Sequence, residues 1–426
     1  MRIRYSRQKN GRPVKKAIVY TQDEHGINLA DVDKDAVYIV ERLRANGYDT
    51  YIVGGAVRDL ILKKRPKDFD IVSGASPARI KKVFRNARII GRRFRLVHVY
   101  FGPKIFEVST FRSLKDGTTS NTFGAIDEDV FRRDFSLNAL FYDPLKREVI
   151  DYVGGIKDIR EKRIRPVIPL PLIFKDDPVR MIRAVKYAAA TGFKLPFALR
   201  WKIRRESALL APVSSSRLSE EILKIVHAAA APEIVEDLEA FGLYAYLQPN
   251  ASRLMGDGGF RARYLKSFTD LKDNPEKAEI PGWNLAALIR DYLEDYLDWE
   301  GGVHENYKNA FAAARQFVLP MNPPRVELDH AVRLIFAEHD ITLKKIRLFE
   351  RGKPPYRGAP SLEELPPGES LALGSKPRQG LPPRRSGFPI PDGTDPSAPV
   401  KKRRRPRKRN KSPHPLPEQP APEAGE

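Results

Sequence analysis

The sequence predicts an α+β protein: a small α/β head, then an all-helical neck and body, then a disordered basic tail. Three observations predict this. Residues 51–72, YIVGGAVRDLILKKRPKDFDIV, hold a strand, a glycine turn, a basic helix and a second strand in one unit. Past Asp151 strand patterns fade and helical periodicity takes over to about Phe349. Residues 351–426 are rich in Pro, Gly and Ser and cannot bury enough surface to offset their ordering entropy. A chain of 426 residues has room for two or three domains.

In chain order, residues 1–24 are basic and polar and read as a flexible arm. DVDKDAVYIVERLRAN, residues 31–46, places Val37, Ile39, Val40 and Leu43 on one helical face. It feeds a strand at 50–53 across Gly47. A helix at 56–64, a strand at 69–73 and a helix at 77–85, opened by Pro77 after Ser76, continue the α/β alternation. RLVHVYF (95–101) and KIFEVSTF (104–111) are β-branched and aromatic runs around Gly102-Pro103, a hairpin signature. Helices are expected at 177–190, 199–210, 219–230 and 232–241. The divisions are a head at 25–160, a neck at 161–230, a body at 231–350 and the tail.

A formal charge of +22 and a pI near 9.9 call for a polyanionic partner, nucleic acid before anionic membrane. Basic runs recur outside the tail, as in KKVFRNARIIGRRFR (81–95) and LRWKIRRES (199–207), so the folded region should itself grip phosphates. No run approaches eighteen apolar residues and no apolar stretch follows the N-terminal charges, so no membrane insertion and a cytoplasmic location are expected. With no cysteine, disulfides and thiolate sites are excluded, and any metal is held by oxygen or imidazole. The histidines, His98 included, show no metal-ligand spacing.

In a strand, Asp68 and Asp70 point the same way while Phe69 turns back into the core. Two carboxylates aimed at one spot repel unless a cation sits between them. Gly54 and Gly55, just before a helix, let a phosphate approach the backbone. Either signal alone is weak, since Asp-x-Asp is common on solvated strand ends; strand, glycines, helix and acids within one short unit are much rarer. Together they describe a triphosphate cradle beside a Mg2+ post. Arg58, one turn into the helix, is placed to neutralise phosphate, or is a surface arginine. Glu107, facing away from Phe106 and Val108, is a candidate third metal-site acid or an arginine's ion-pair partner. Asp177 caps a helix start, and Arg180 and Arg183 follow at spacings of three on the same face, where carboxylate and guanidinium can read a base edge.

RRDFSLNALFYDP (132–144), DYVGGIKDI (151–159) and DDPVRMIRAVKYAAATGF (176–193), with the glycine and Asp-x-Asp unit, resemble the motifs of the class II tRNA nucleotidyltransferase and bacterial poly(A) polymerase superfamily over roughly residues 25–230. GRRFRLVHVYFG (91–102), EHGI (24–27) and the basic tail resemble the poly(A) polymerase branch more than its CCA-adding relatives. The resemblance implies a polymerase-β-like nucleotidyltransferase head that transfers AMP from ATP to RNA 3′ ends. It implies catalytic Asp68, Asp70 and Asp134, with Mg2+ on Asp68 and Asp70 and Glu107 open as a third ligand. Arg133 and Asn138 would line the nucleotide pocket with Gly54, Gly55 and Arg58, and Asp177, Arg180 and Arg183 would select the nucleotide. Implied partners are RNA 3′ ends, with RNA-decay or RNA-chaperone proteins open.

The chain departs from the pattern at Asp176-Asp177, where Glu-Asp is usual, at Lys186, where a third arginine is usual, and in a short 113–131 stretch. In KKRRRPRKRNK (401–411), Lys401, Lys402, Arg403, Arg404, Arg405, Arg407, Lys408 and Arg409 read as an RNA tether rather than a merely solvated run. A CCA-adding enzyme, or an RNA-binding protein on an idle scaffold, are the alternatives.

Overall fold

The computed structural model describes residues 2–7, 13–91, 95–113 and 123–343. The tail, including Lys401 to Arg409, lies outside the described residues, as does its expected disorder. The head is built on strands β1 (Arg2–Arg7), β2 (Pro13–Tyr20), β3 (Thr50–Val53), β4 (Asp70–Ser73), β5 (Ala87–Ile90), β6 (Leu96–Phe101), β7 (Lys104–Thr110), β8 (Leu140–Asp143) and β9 (Glu148–Asp151). They form one sheet in the order β1-β2-β9-β8-β3-β4-β7-β6-β5. Within it β4 and β7 run parallel, and the other pairs are antiparallel.

Two head elements correct the expectation. Residues 2–7 and 13–20, within the stretch expected to be a flexible arm, are paired: β1 and β2 pair with each other, and β2 pairs with β9 through Ile18, Val19 and Tyr20. The apolar alternation Ala17, Val19 is short and sits among lysines, yet both side chains are buried. A strand β5, not expected, pairs with β6 and widens the hairpin.

Helices α1 (Lys34–Ala45), α2 (Gly55–Ile61) and α3 (Pro77–Val83) belong to the head. Ala36, Ile39, Val40 and Leu43 of α1 are buried, and the helix is capped by the Asp33 side chain at the Asp35 N–H. Fully burying each large aliphatic side chain contributes roughly 1.5–3 kcal/mol. Ile52, Ile71, Val97, Val99, Phe106 and Val108 join this layer, while Tyr51, Val53, Val72, Phe141 and Ile150 form a smaller cluster on the opposite face.

Beyond Asp151 the described residues contain no further named strand. The longer helices are α4 (Val179–Thr191), α5 (Phe197–Glu206), α6 (Ser215–Val226), α7 (Ala231–Ala240), α8 (Gly258–Asp273), α9 (Pro281–Tyr296), α10 (Val303–Phe317) and α11 (Arg325–Glu338). Helix α4 starts two residues later than expected. Asp177 precedes Pro178, which disfavours a helical backbone there, and it sits at φ −149°, ψ 102°. In the body α9 packs on α8, α10 and α11. Tyr244 and Tyr264 are buried there with their hydroxyls 2.8 Å apart, so each satisfies the other. One apolar core runs from Tyr20 to Leu343. No helix among the described residues is long and apolar enough to cross a membrane.

Candidate active site

The site begins where β3 ends. Because β3 and β4 run antiparallel with Val53 opposite Asp70, the end of one strand and the start of the other lie together. Gly54, at φ +73° and ψ −136°, turns the chain from β3 into α2 in a backbone region that side chains avoid. A Cβ there would stand 3.6 Å from Asp70 Oδ2 and 4.0 Å from Arg133 Nη1, which places the turn, the acid and the guanidinium around one space.

Asp70 continues the Val72 face of β4, and Phe69 packs against the helical core as the alternation requires. Solvent reaches Asp70, but protein surrounds it on most sides of the cleft. Burial, then the charge of Glu107, push its carboxyl up to about 6; Asp68 adds to the rise, and Arg133 and Lys224 oppose it. Glu107 comes from the parallel neighbour, where Ile71 pairs with Val108, so Asp70 and Glu107 occupy equivalent positions. The ion-pair partner of Glu107 is His98, at 3.5 Å across β6, when that imidazole is protonated. Among the described residues no three acidic or imidazole groups enclose an ion unaided. Asp68 and Asp70 nevertheless suit Mg2+, which commonly takes one or two carboxylates and leaves its other positions to phosphates and water.

Arg58, Arg133 and Asn138 are brought together. Arg58 Nη1 donates to Asn138 Oδ1 at 2.9 Å, and Arg133 Nη1 donates to the Asn138 carbonyl at 3.2 Å. Arg133 also grips Asp129 at 2.9 Å and stacks 4.9 Å from the Phe141 ring centroid. The DYVGGIKDI segment buttresses this turn. Asp151 accepts four backbone N–H groups from Val153, Gly154, Gly155 and Ile156. Buried Asp158 accepts the Ser136 hydroxyl at 2.6 Å, and a Cβ on Gly155 would strike the Ser136 carbonyl at 2.2 Å.

Asp134 is ion-paired to α4. Its two carboxylate oxygens accept from Arg180 Nε and Arg183 Nη1, each at 2.8 Å. Arg180 is 3% exposed and also donates to the Asp176 carboxylate and to the Ile173 carbonyl. Asp177 divides its oxygens between the Val179 N–H, at 3.2 Å, and Arg217 Nη2, at 2.8 Å, so capping and ion pairing coexist.

Helix α6 was legible only as a helix. Its Arg217, Glu221 and Lys224, spaced by four and three, lie on one face. Arg217 holds Asp177; buried Glu221 takes Arg183 at 2.9 Å and Lys186 at 2.6 Å; Lys224 acts on Asp70. Burial would raise the Glu221 pKa, but Lys186 and Arg183 outweigh it and hold it low. Burial tends to discharge Arg183 too, but Asp134 and Glu221 reverse this and raise its pKa. Lys186 therefore serves the network through its ammonium group. A charged row at helical spacing ordinarily marks a solvated face, which is why the sequence did not reveal it.

Paired carboxylates at the end of a sheet, a glycine turn into a helix, clustered arginines and a helical neck define an enzyme of the nucleotidyltransferase class. Residues 50–165 match the family described as "Poly A polymerase head domain", and residues 192–255 match "Probable RNA and SrmB- binding site of polymerase A". The sequence is 34% identical to poly(A) polymerase I of Salmonella typhi over 92% of each chain. It is 37% identical to poly(A) polymerase I of Escherichia coli O6:H1 over 71% of this chain and 70% of that one. A solved CCA-adding enzyme, apo form II, has the same fold, with a TM-score of 0.53 and 19% identity over 75% of each chain. The chain belongs to the bacterial poly(A) polymerase family.

Proposed function

We propose that this protein adenylates RNA 3′ ends without a nucleic-acid template. The 3′-hydroxyl attacks the α-phosphate of ATP, the bond to the β-phosphate breaks, pyrophosphate leaves, and the lengthened end serves the next cycle. The observation that carries this reading is the Asp70 carboxylate. Burial and then the charge of Glu107 push its pKa up to about 6 beside the Gly54 turn, so its ionised form would gain from a cation.

Asp68 and Asp70, with Glu107 adjacent, would hold Mg2+, which when bound offsets triphosphate charge and makes the 3′-hydroxyl more acidic. Arg58 and Arg133 receive phosphate oxygens, and Asn138 fixes both guanidinium groups. Asp134 is a positioning residue, setting Arg180 and Arg183 toward the incoming nucleotide while Asp177 offers an acceptor beside them. The likeness to a CCA-adding fold supports a second reading, addition of CCA to tRNA.

Primer extension with Mg2+ separates these readings. A generic RNA ending in A and a tRNA lacking CCA are each offered ATP or CTP, singly and together. Long ladders on generic RNA with ATP alone are expected. Addition that stops at CCA on the tRNA overturns polyadenylation, and no incorporation by a folded protein leaves an idle scaffold.

A further inference from the structure

Helix α4 carries a polar group to which the site described above gives no task. Tyr187 follows Arg183 by four residues and Arg180 by seven, so it continues their row on the same helix face, one turn further on. Three segments of the site hold its ring. The Arg58 guanidinium carbon, from α2, stands 5.6 Å from the ring centroid. Phe135, immediately after Asp134, meets the ring edge-on at 6.0 Å, and the Lys186 ammonium lies 5.6 Å from the centroid. The hydroxyl is not spent on any of these: among the described residues no hydrogen bond engages it. Tyr187 is half-buried, unlike the sealed Tyr244 and Tyr264, whose hydroxyls satisfy each other. Burial, then the charge of Asp134, push its pKa up to about 12, so the hydroxyl is neutral and able to donate.

In a nucleoside triphosphate the sugar separates the phosphates from the base. On the adenylation reading, on which this inference rests, Arg58 receives phosphate and Arg183 is turned toward the nucleotide. Tyr187 touches the first and shares a helix face with the second, which is where the sugar falls. The charged neighbours are already engaged: Asp134 by Arg180 and Arg183, and Glu221 by Arg183 and Lys186. The unspent group at this point of the row is the phenol. Its complement on a ribonucleotide is the 2′-hydroxyl, the group by which a protein tells ribose from deoxyribose. We propose that the Tyr187 hydroxyl donates to the ribose 2′-oxygen of the incoming nucleotide and thereby selects ribonucleotides over deoxyribonucleotides. A site that hydrogen-bonds a substrate hydroxyl rejects the analogue lacking it, because its own group is then left unpaired.

The test uses the full chain and Tyr187→Phe, which removes the oxygen and keeps the ring against Arg58 and Phe135. Without RNA there is no acceptor, so calorimetry compares the affinity of ATP, in the presence of Mg2+, with those of 2′-deoxy-ATP and 3′-deoxy-ATP. The wild type should bind 2′-deoxy-ATP about two- to tenfold more weakly than the other two, the range of one neutral hydrogen bond. Tyr187→Phe should bind all three alike, at the wild-type affinity for 2′-deoxy-ATP, and keep the wild-type thermal midpoint. Primer extension should show the same collapse in the ratio of kcat/KM for ATP to that for 2′-deoxy-ATP.

Equal binding of ATP and 2′-deoxy-ATP by the wild type would overturn the contact. So would a variant that weakens all three nucleotides together and keeps their ratios, which would make Tyr187 a packing residue. Loss of preference against 3′-deoxy-ATP alone would put the hydrogen bond on the other hydroxyl and equally overturn it. A wild type that binds with the expected preference but extends no RNA would sink the adenylation reading and leave the sugar contact standing. Extension with ATP by both proteins at one unchanged ratio would do the reverse.

Discussion

Lys67 Nζ donates to the carbonyl oxygen of His227 at 2.6 Å, joining positions 160 apart in the chain. Lys67 immediately precedes Asp68, and His227 caps the C-terminal end of α6, where carbonyls carry partial negative charge. The imidazole is held in turn, with Nδ1 2.6 Å from the Leu223 carbonyl and Nε2 accepting from Asn284 Nδ2 at 2.9 Å. The loop that delivers Asp68 is thereby tied to the helix that carries Arg217 and Glu221. Lys67→Met should fold normally, since the bond is exposed, but loosen Asp68. An exposed charge-assisted contact of about 0.5–1 kcal/mol corresponds to roughly a two- to fivefold loss of incorporation. Unchanged turnover across a Mg2+ titration would show that the anchor is dispensable.

Asp70 gives a prediction of opposite sign for stability and activity. An unfolded carboxyl ionises near about 3.9, whereas Asp70 in the folded chain ionises at about 6. Between those values the folded state holds the extra proton, so this group's contribution to stability falls as pH rises through that window. Without added metal, Asp70→Asn should raise the thermal midpoint at pH 8, with the difference closing toward pH 4. Incorporation should be abolished throughout. A lower midpoint at pH 8 would mean that the charge is already compensated.

Gly54→Ala tests the turn rather than the acid. The added methyl meets Asp70 and Arg133 at ordinary van der Waals distances, so space is not the obstacle. The obstacle is the backbone at φ +73° and ψ −136°, which costs a side-chain-bearing residue about 1–3 kcal/mol. Denaturant unfolding should show that loss, and ATP affinity should fall with it. A variant with full stability would show that the turn relaxes.

Asp134→Ala leaves Arg180 and Arg183 without their shared acceptor, and Arg180 is almost wholly buried. Arg180 keeps Asp176 and the Ile173 carbonyl and Arg183 keeps Glu221, so the loss should be about 1–3 kcal/mol, the cost of a buried donor left without an acceptor, rather than that of an unpaired charge. Asp134→Asn, which keeps one acceptor oxygen and so can hold only one of the two arginines, should lose less stability than Asp134→Ala and mainly raise the KM for ATP. Equal loss of kcat in both variants, with KM unchanged, would return Asp134 to the catalytic acids.

Truncation before Lys401 addresses the basic run outside the described residues. The shortened chain should add the first adenosine at the normal rate but show a flatter dependence of RNA affinity on salt. For single strands, the slope falls by about 0.7 for every phosphate that the protein no longer neutralises. An unchanged slope would remove the tether.

The strand, turn and helix of the unit from Tyr51 to Val72 were legible because they are local, but the strand alternation expected of Asp68 and Asp70 does not hold for Asp68, which precedes β4, the strand that starts at Asp70. The pairing that makes it a site was not legible: only β3 and β4 lying antiparallel put Gly54 beside Asp70. Residues 2–7 and 13–20 read as a flexible arm because their lysines and arginines outweigh a short apolar alternation that becomes favourable only once β9 is alongside. Asp134 was assigned from resemblance, and chain position alone could not say which arginines its oxygens would meet. Asp177 read as a cap, which it is, but its second partner arrives from Arg217, forty residues away.

On the reading proposed above, the α6 row of Arg217, Glu221 and Lys224 sets the unit in which nucleotide preference would be exchanged between relatives. Each of the three meets a different part of the centre, and a helix offers no means of shifting one without rotating the rest. Inserting a single residue ahead of the row would turn it by about 100°, part Arg217 and Glu221 from their partners and carry the Lys224 charge away from Asp70, although Lys224 keeps its ion pair with Glu220 on the same helix. A chimera carrying only a foreign α4 would set its arginines against the wrong counter-charges, whereas α4 and α6 moved as a matched pair would travel with their wiring intact. Inheritance of specificity in this scaffold should therefore follow helix pairs, with compensating changes on α6 wherever position 186 alternates between lysine and arginine.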